Sequence, residues 1–173
     1  MRIRTGGRIY ASSNVALFLG TDGSFPTASE KQLGTGKYTI RPGGAMAVRL
    51  PRVRSLLFVL AEDVNSIGGD PSRLDIHFTQ VQSTINTIWS KQWWSLASTT
   101  VDIDWKHRQQ VAVNLLGEIG YRFDNHWRVF AGPAVGVMGR DTVLGLDWAV
   151  QAGVRWVFRT PLLPERLFEK LPM

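Results

Sequence analysis

The sequence predicts an all-β fold, an antiparallel up-and-down transmembrane β-barrel of about eight strands or part of a larger barrel. Apolar and polar residues alternate over long stretches, most clearly in LGLDWAVQAGVRWVF at 144–158. The alternating segments are about 11 to 14 residues long, whereas strands of soluble proteins average about 5–6 and a tilted membrane strand needs about 9–11. Aromatic residues also stand near the ends of these segments. Together these observations favour lipid over a protein core as the environment of the apolar face, with a soluble lipocalin-like barrel as the competing interpretation.

Turn residues and alternation place eight strands in order along the chain. The predicted strands are 8–20, 37–50, 54–66, 73–88, 93–106, 111–123, 127–138 and 144–158. No helical crossover separates them, which indicates an antiparallel meander.

Three of these strands carry irregularities. In the second, Pro42-Gly43-Gly44 predicts a bulge or an edge position. The third contains SLLFVLAEDV, which is apolar on both faces, so a buried helix is an alternative for that segment. In the fourth, Leu74, Ile76 and Phe78 alternate with polar residues until the phase is lost at 80–82, which predicts a bulge.

The last strand shows the membrane argument most clearly. Trp148 and Trp156 lie eight residues apart on its apolar face. That separation is about 26 Å along a strand and about 20 Å along the membrane normal at a tilt near 40°. We expect the lipid-facing and interfacial residues to be Trp105, Trp127, Trp148, Val150, Val154 and Trp156.

The polar side of the strands carries the candidate interior residues. In a barrel they would converge on the lumen, where opposite charges pair and stiffen the wall or line a path for solute. The lumen-facing candidates are Arg41, Arg49, Asp75, His77, Asp102, Asp104, Asn114, Glu118, Arg122, Asp147, Gln151 and Arg155.

Composition excludes several other classes. The 173 residues suffice for one domain, and the absence of cysteine rules out disulfides and thiolate metal sites. Lysine and arginine exceed the acids by 20 to 14, but no basic block is present, which argues against nucleic-acid binding. The sequence contains no run of 18 apolar residues, so it predicts no transmembrane helix, and the N-terminus does not have the pattern of a signal peptide. We therefore expect either a cytosolic chain or a mature or truncated piece of a longer precursor.

The search for catalytic or metal chemistry gives weak candidates. Ser83 or Ser98 with His77 and an aspartate could form a nucleophilic site, but no motif supports it. Asp102 and Asp104 with Asp75 could bind a cation, although a salt-bridged network explains them as well. We expect no enzyme activity, no metal and no cofactor.

The segment QAGVRWVF at 151–158 resembles the C-terminal β-signal of bacterial outer-membrane proteins, with Gln151, Gly153, Trp156 and Phe158 at the matching positions. The resemblance implies recognition by the outer-membrane assembly machinery. Such proteins usually stop at the final aromatic residue, whereas this chain continues as RTPLLPERLFEKLPM.

A wider resemblance covers most of the chain. The stretches LGTGKYTIRPGGAMAVRLP, SIGGDPSRLDIHF, KQWWSLASTTVDIDWK and VNLLGEIGYRF are similar to outer-membrane "transporter" barrels related to the phenol-degradation meta-pathway family. That similarity is to the later part of the barrel and implies passage of small, often hydrophobic molecules through the bacterial outer membrane.

The sequence therefore predicts a barrel domain at 1–158 and a tail at 159–173 with a short amphipathic segment. Porin-like passage of a small solute is the leading function. A scaffolding subunit without an open pore is the alternative, and an outer-membrane enzyme or a soluble ligand-binding barrel comes third. The expected partners are outer-membrane lipid, the assembly machinery and a periplasmic or oligomeric partner of the tail.

Overall fold

The computed structural model describes residues 2–27, 35–106, 110–142 and 144–156, and these residues form one β-sheet. The strands are β1 (Arg2–Ala11), β2 (Val15–Ser24), β3 (Lys37–Leu50), β4 (Ser55–Gly69), β5 (His77–Ile88), β6 (Trp93–Asp104), β7 (Gln110–Arg122), β8 (Trp127–Met138) and β9 (Trp148–Trp156). A single turn of 3-10 helix, Pro51–Val53, joins β3 to β4. None of the described helical structure has the length and apolar character needed to cross a membrane.

Each strand pairs antiparallel with the next one in the sequence, in the order β1 to β9. The predicted all-β, up-and-down meander is therefore confirmed, and the buried helix considered for 54–66 is instead the strand β4. Within the described residues the sheet is open, because β1 and β9 are its two unpaired edges.

The prediction of eight strands was wrong at the N-terminus, where the single strand expected at 8–20 is a hairpin. β1 and β2 reverse direction at residues 12–14, which are Ser12, Ser13 and Asn14. The Ser12 amide donates to the Val15 carbonyl at 2.8 Å, and the Val15 amide donates to Ser12 Oγ at 3.2 Å. These hydroxyl and backbone bonds close a tight turn that the apolar residues on either side had concealed.

Of the two predicted irregularities, one lies elsewhere than expected and the other is absent from β5. β3 is not an edge strand, and its register with β4 shifts between Tyr38 and Thr39 rather than at Pro42. β5 keeps one continuous register with both neighbours, so no bulge occurs at 80–82. The strands predicted at 73–88 and 144–158 start later, at His77 and Trp148.

The connections differ in length at the two ends of the sheet. At one end, the short-turn end, strands are joined by residues 12–14, 51–54, 89–92 and 123–126. At the other, the long-loop end, they are joined by residues 25–36, 70–76, 105–109 and 139–147. Each connection at the short-turn end has three or four residues, and the others have five to twelve.

The register defines two faces, since residues directly opposite each other in paired strands point the same way. Glu62, Gln80, Asp102 and Ala112 form one such row across β4 to β7. We call the face of this row the polar face and the opposite one the apolar face.

Burial on these faces is the reverse of that in a soluble protein. Among the described residues only Val64 and Ala112 are buried hydrophobic residues, whereas Asp22, Glu62 and Asp102 are at most 7% exposed. Large apolar side chains such as Trp148 and Val150 are more than 70% exposed. The sheet therefore curls around its charged residues.

Candidate functional site: the polar face of the sheet

The register brings nine of the twelve candidate interior residues onto the polar face. They are Arg41, Arg49, Asp102, Asp104, Asn114, Glu118, Arg122, Gln151 and Arg155. Asp75 and Asp147 lie in loops at the long-loop end.

His77 lies on the apolar face. It is paired with Asn65, while its neighbour Phe78 faces Val64 and Asp104 on the polar side. The sequence predicted the opposite phase in this segment, because Phe78 continues the apolar series that Leu74 and Ile76 begin. Those two residues precede β5 and do not share its alternation.

Near the long-loop end, five charged side chains of β1 to β4 form what we call the N-terminal ion cluster: Arg2, Arg4, Asp22, Arg41 and Glu62. Asp22 accepts hydrogen bonds from Arg2 and Arg4 and lies 3.7 Å from Arg41 Nε. Arg41 Nη1 donates to Glu62 Oε1 at 3.3 Å, and Arg4 Nη2 lies 3.9 Å from Glu62 Oε2. Both acids are buried, so each is surrounded by cations that offset the cost of burying its charge.

Neutral polar side chains and the acid Asp102 occupy the middle of the face. Ser98 Oγ lies 2.8 Å from Thr84 Oγ1 and accepts a hydrogen bond from Gln82 Nε2 at 3.1 Å. One row away, Gln80 Nε2 donates to Asp102 Oδ1 at 2.7 Å. This region is polar and satisfied without a cation.

At the short-turn end, Arg122, Arg128 and Arg155 stand directly opposite one another on β7, β8 and β9. We call these three residues the arginine row. Arg155 Nη2 lies 3.0 Å from both carboxylate oxygens of Glu118, and Gln151 Nε2 donates to Glu118 Oε1 at 2.7 Å. Arg122 Nη2 donates to the Lys91 carbonyl, whereas Arg128 Nε is buried and has no hydrogen-bond partner.

Two aromatic rings support the arginine row from the polar face. The Arg155 guanidinium lies 4.0 Å from the Phe130 ring centroid and 5.4 Å from that of Trp94. Glycine makes room for both rings: a Cβ at Gly120 would come 2.2 Å from Trp94, and one at Gly153 would come 2.8 Å from Phe130. Gly153 thus has a packing role in addition to its place in the predicted assembly signal.

The polar face as a whole is cationic. Its described strands contribute nine cations, namely Arg2, Arg4, Arg8, Lys37, Arg41, Arg49, Arg122, Arg128 and Arg155. They contribute five acids, namely Asp22, Glu62, Asp102, Asp104 and Glu118, which leaves a net charge of +4. One loop acid extends the network: Lys37 Nζ donates to Asp75 Oδ1 at 2.9 Å, and this bond and the lysine charge lower the pKa of Asp75.

The apolar face bears aromatic side chains at both of its ends. At the short-turn end they are Trp89, Trp93, Tyr121, Phe123, Trp127 and Trp156, with Trp127 and Trp156 stacked at 5.7 Å. At the long-loop end they are Phe25, Tyr38, Trp105 and Trp148, with His77 6.3 Å from Trp105. We call these two groups the aromatic bands.

Between the bands the apolar face is aliphatic. Val150 and Val154 lie there, as does an open groove of about 540 Å³ lined by residues such as Leu57, Ala97 and Pro133. All six residues predicted to contact lipid or its interface lie on this face: Trp105, Trp127, Trp148, Val150, Val154 and Trp156.

Asp63 is the one charged strand residue of the apolar face in the described part of the chain. It accepts a hydrogen bond from Thr79 Oγ1 at 2.8 Å and another from the Asn65 side chain. His77 Nε2 lies 3.5 Å from Asp63 Oδ1, and Trp105 Nε1 donates to Thr79 Oγ1 at 2.9 Å. The Asp63 carboxylate therefore lies beside the aromatic band of the long-loop end.

The structure does not assemble the catalytic or metal sites considered from the sequence. Ser83 lies six residues from His77 on β5, about 20 Å along the strand. Ser98 lies on the opposite face. The described residues contain no group of three or more histidines and acids that could hold a metal ion.

Sequence reasoning missed the N-terminal ion cluster apart from Arg41. The available signals were the spacing of Arg2 and Arg4, the isolated acid Asp22 in the otherwise uncharged stretch 9–29, and Glu62 beside Asp63 after an apolar run. Phe158 of the predicted assembly signal and the tail at 159–173 lie outside the described residues.

Comparison of the chain with protein-family models, with curated proteins and with solved structures finds no match.

Proposed function

We propose that this sheet forms part of the wall of a bacterial outer-membrane β-barrel through which a small solute passes. The observation that carries the proposal is the inverted burial, with charged side chains enclosed and large apolar side chains exposed. In water such a face would cost about 25 cal/mol per Å² of exposed apolar surface, whereas lipid would cover it. An outer-membrane barrel has this arrangement, apolar outward and polar inward.

Two further features support the membrane assignment. Short turns at one end and longer loops at the other are typical of outer-membrane barrels, whose periplasmic turns are short. The two aromatic bands match the interfacial rings of such proteins. On this proposal the short-turn end faces the periplasm.

The assembly signal belongs to the same proposal. Trp156 stacks on Trp127 at the short-turn end, while Gln151 and Gly153 lie on the polar face. A terminal strand with these side chains offers the assembly machinery an edge, because β9 pairs with β8 alone among the described strands.

A wall without an open pore is the second candidate. The N-terminal ion cluster favours it, because paired charges that contact one another across four strands fill the space in front of β1 to β4. Small barrels of about eight strands are filled by such side chains.

Lipid contact is tested by placing arginine on each face of β9. We expect Val150→Arg to destabilise the protein in phosphatidylcholine vesicles by about 1–3 kcal/mol, because Val150 lies between the aromatic band at Trp148 and the bilayer midplane, where arginine costs about 2–4 kcal/mol. The matched control is Ala149→Arg, which is adjacent but on the polar face. Urea unfolding followed by tryptophan fluorescence measures both. Equal losses, or wild-type protein that stays folded and monomeric without detergent, would contradict the membrane assignment.

Passage is tested separately by conductance in planar bilayers. A steady conductance supports solute passage. Stable insertion without conductance would favour the wall without an open pore.

A further inference from the structure

The arginine row brings three positively charged side chains together although they repel one another. Arg122, Arg128 and Arg155 are directly opposite one another on three neighbouring strands, which lie about 4.8 Å apart. Like charges in directly opposite positions destabilise a sheet. An arrangement of this kind calls for a counter-charge.

The described residues supply only part of that counter-charge. Glu118 is the acid that contacts the row, and both of its oxygens are engaged by Arg155, with Gln151 as an additional donor. Arg122 donates to a backbone carbonyl, which brings no negative charge. Arg128 Nε, in the middle of the row, is buried without a hydrogen-bond partner. Three cations and one acid leave a local charge of +2.

We propose that the arginine row is a binding site for a small oxyanion, the phosphate or carboxylate group of a solute. A guanidinium group presents parallel N–H donors that match two oxygens of such a group, and adjacent guanidinium groups can share it. The Phe130 and Trp94 rings fix the position of Arg155, so one side of the site is preorganised. The role of this site in passage rests on the proposed function, whereas the binding itself does not.

Where the polar face lines a passage, an oxyanion site on it implies that the solute is an anion. Rings of arginine and lysine select anions in pores, and the net charge of +4 on the polar face acts in the same direction. The oxyanion would meet the arginine row at the short-turn end of the polar face.

Binding is tested by isothermal titration of the full chain, folded in a non-ionic detergent, with inorganic phosphate and separately with succinate. We expect Arg128→Gln to weaken binding about tenfold, which corresponds to the loss of about one charge-assisted hydrogen bond. Arg49→Gln is the matched control, because it removes the same charge from the same end of the polar face on β3, four strands away from β7. Its affinity should stay at the wild-type value.

Several outcomes would overturn the proposal. Absence of binding of both probes to the wild type is one, and an equal loss in the Arg49 variant is another, because that loss would indicate a diffuse charge effect. A thermal unfolding curve for Arg128→Gln that matches or exceeds the wild type establishes that the variant is folded.

Reversal potentials in a salt gradient separate this proposal from the proposed function. A conductance that prefers anions, with a preference reduced by Arg128→Gln, supports both. A cation-selective conductance overturns the anionic solute and leaves passage standing. Phosphate binding without any conductance supports the site and contradicts passage.

Discussion

The N-terminal ion cluster and the arginine row each place three arginines on the polar face, but they differ in the acids that accompany them. In the cluster, Asp22 and Glu62 are buried between their cations and contact all three arginines. In the row, Glu118 pairs with one of the three arginines, Arg155. The comparison teaches that the number of cations does not by itself identify a binding site. Three arginines with two buried acids hold the sheet together, whereas three arginines with one acid keep a larger positive charge that can attract a ligand.

The largest expected effect is on the cluster. Asp22→Asn leaves Arg2, Arg4 and Arg41 without their shared acid, and we expect a loss of about 2–3 kcal/mol in the free energy of unfolding. This is below the full cost of breaking a buried ion pair, because the Arg2 and Arg4 side chains are 45% and 63% exposed and can be hydrated. Urea unfolding in vesicles measures the loss.

Asp102→Asn is the control for that experiment. Asp102 is equally buried but accepts its hydrogen bond from the neutral Gln80, so its neutralisation should cost little. Similar losses in the two variants would show that burial, rather than pairing with arginine, determines the effect.

A smaller effect is expected in the arginine row. Glu118→Gln should cost about 1–2 kcal/mol, because Arg155 loses a charge-assisted pair but is 44% exposed and stays stacked on Phe130. The same variant should bind phosphate more tightly, since it removes the competing acid. Titration and urea unfolding on one preparation measure both, and a loss as large as that of Asp22→Asn would make the two regions equivalent.

The smallest effect concerns the turn that joins two members of the row. Asp124 Oδ1 accepts hydrogen bonds from the amides of His126 and Trp127, and these bonds lower the pKa of Asp124. A depressed folded pKa stabilises the turn above the ordinary pKa of the carboxyl, and the stabilisation is lost as the pH falls through the folded value.

We therefore expect a small drop in melting temperature below about pH 4 that is reduced in Asp124→Asn. Phosphate affinity should weaken over the same range if this turn holds Arg122 and Arg128 in place. An identical pH dependence in the variant would assign the drop to other carboxyl groups.

Much of the sheet could be predicted from the sequence where one residue type dominates each face. In β9, the even-numbered residues from Trp148 to Trp156 alternate with the odd-numbered residues from Ala149 to Arg155. The structure places the two sets on opposite faces, as the alternation indicates. The prediction was wrong where the pattern spans a break in the backbone. The reversal at Ser12–Asn14 separates two apolar runs of similar phase, and β5 begins only after Leu74 and Ile76.

The candidate site was less predictable because it depends on residues far apart in the sequence. Glu118 meets Arg155 across 37 positions, and Arg41 meets Glu62 across 21. Alternation gives the face of each side chain but not its neighbour, which depends on the register of every intervening strand. The grouping of the arginines into a set with two acids and a set with one acid therefore emerges only from the paired sheet.

The odd number of described strands has a consequence for how such a sheet could close into a cylinder. β1 and β9 both run from the long-loop end to the short-turn end, so they point in the same direction. Joining them directly would create a parallel seam in an otherwise antiparallel cylinder. If two copies were inserted with the same orientation, β1 of each copy would lie beside β9 of the other, and the cylinder would contain two such parallel seams. A cylinder that is antiparallel throughout needs an even number of strands, so these nine would have to be complemented by one, three or another odd number.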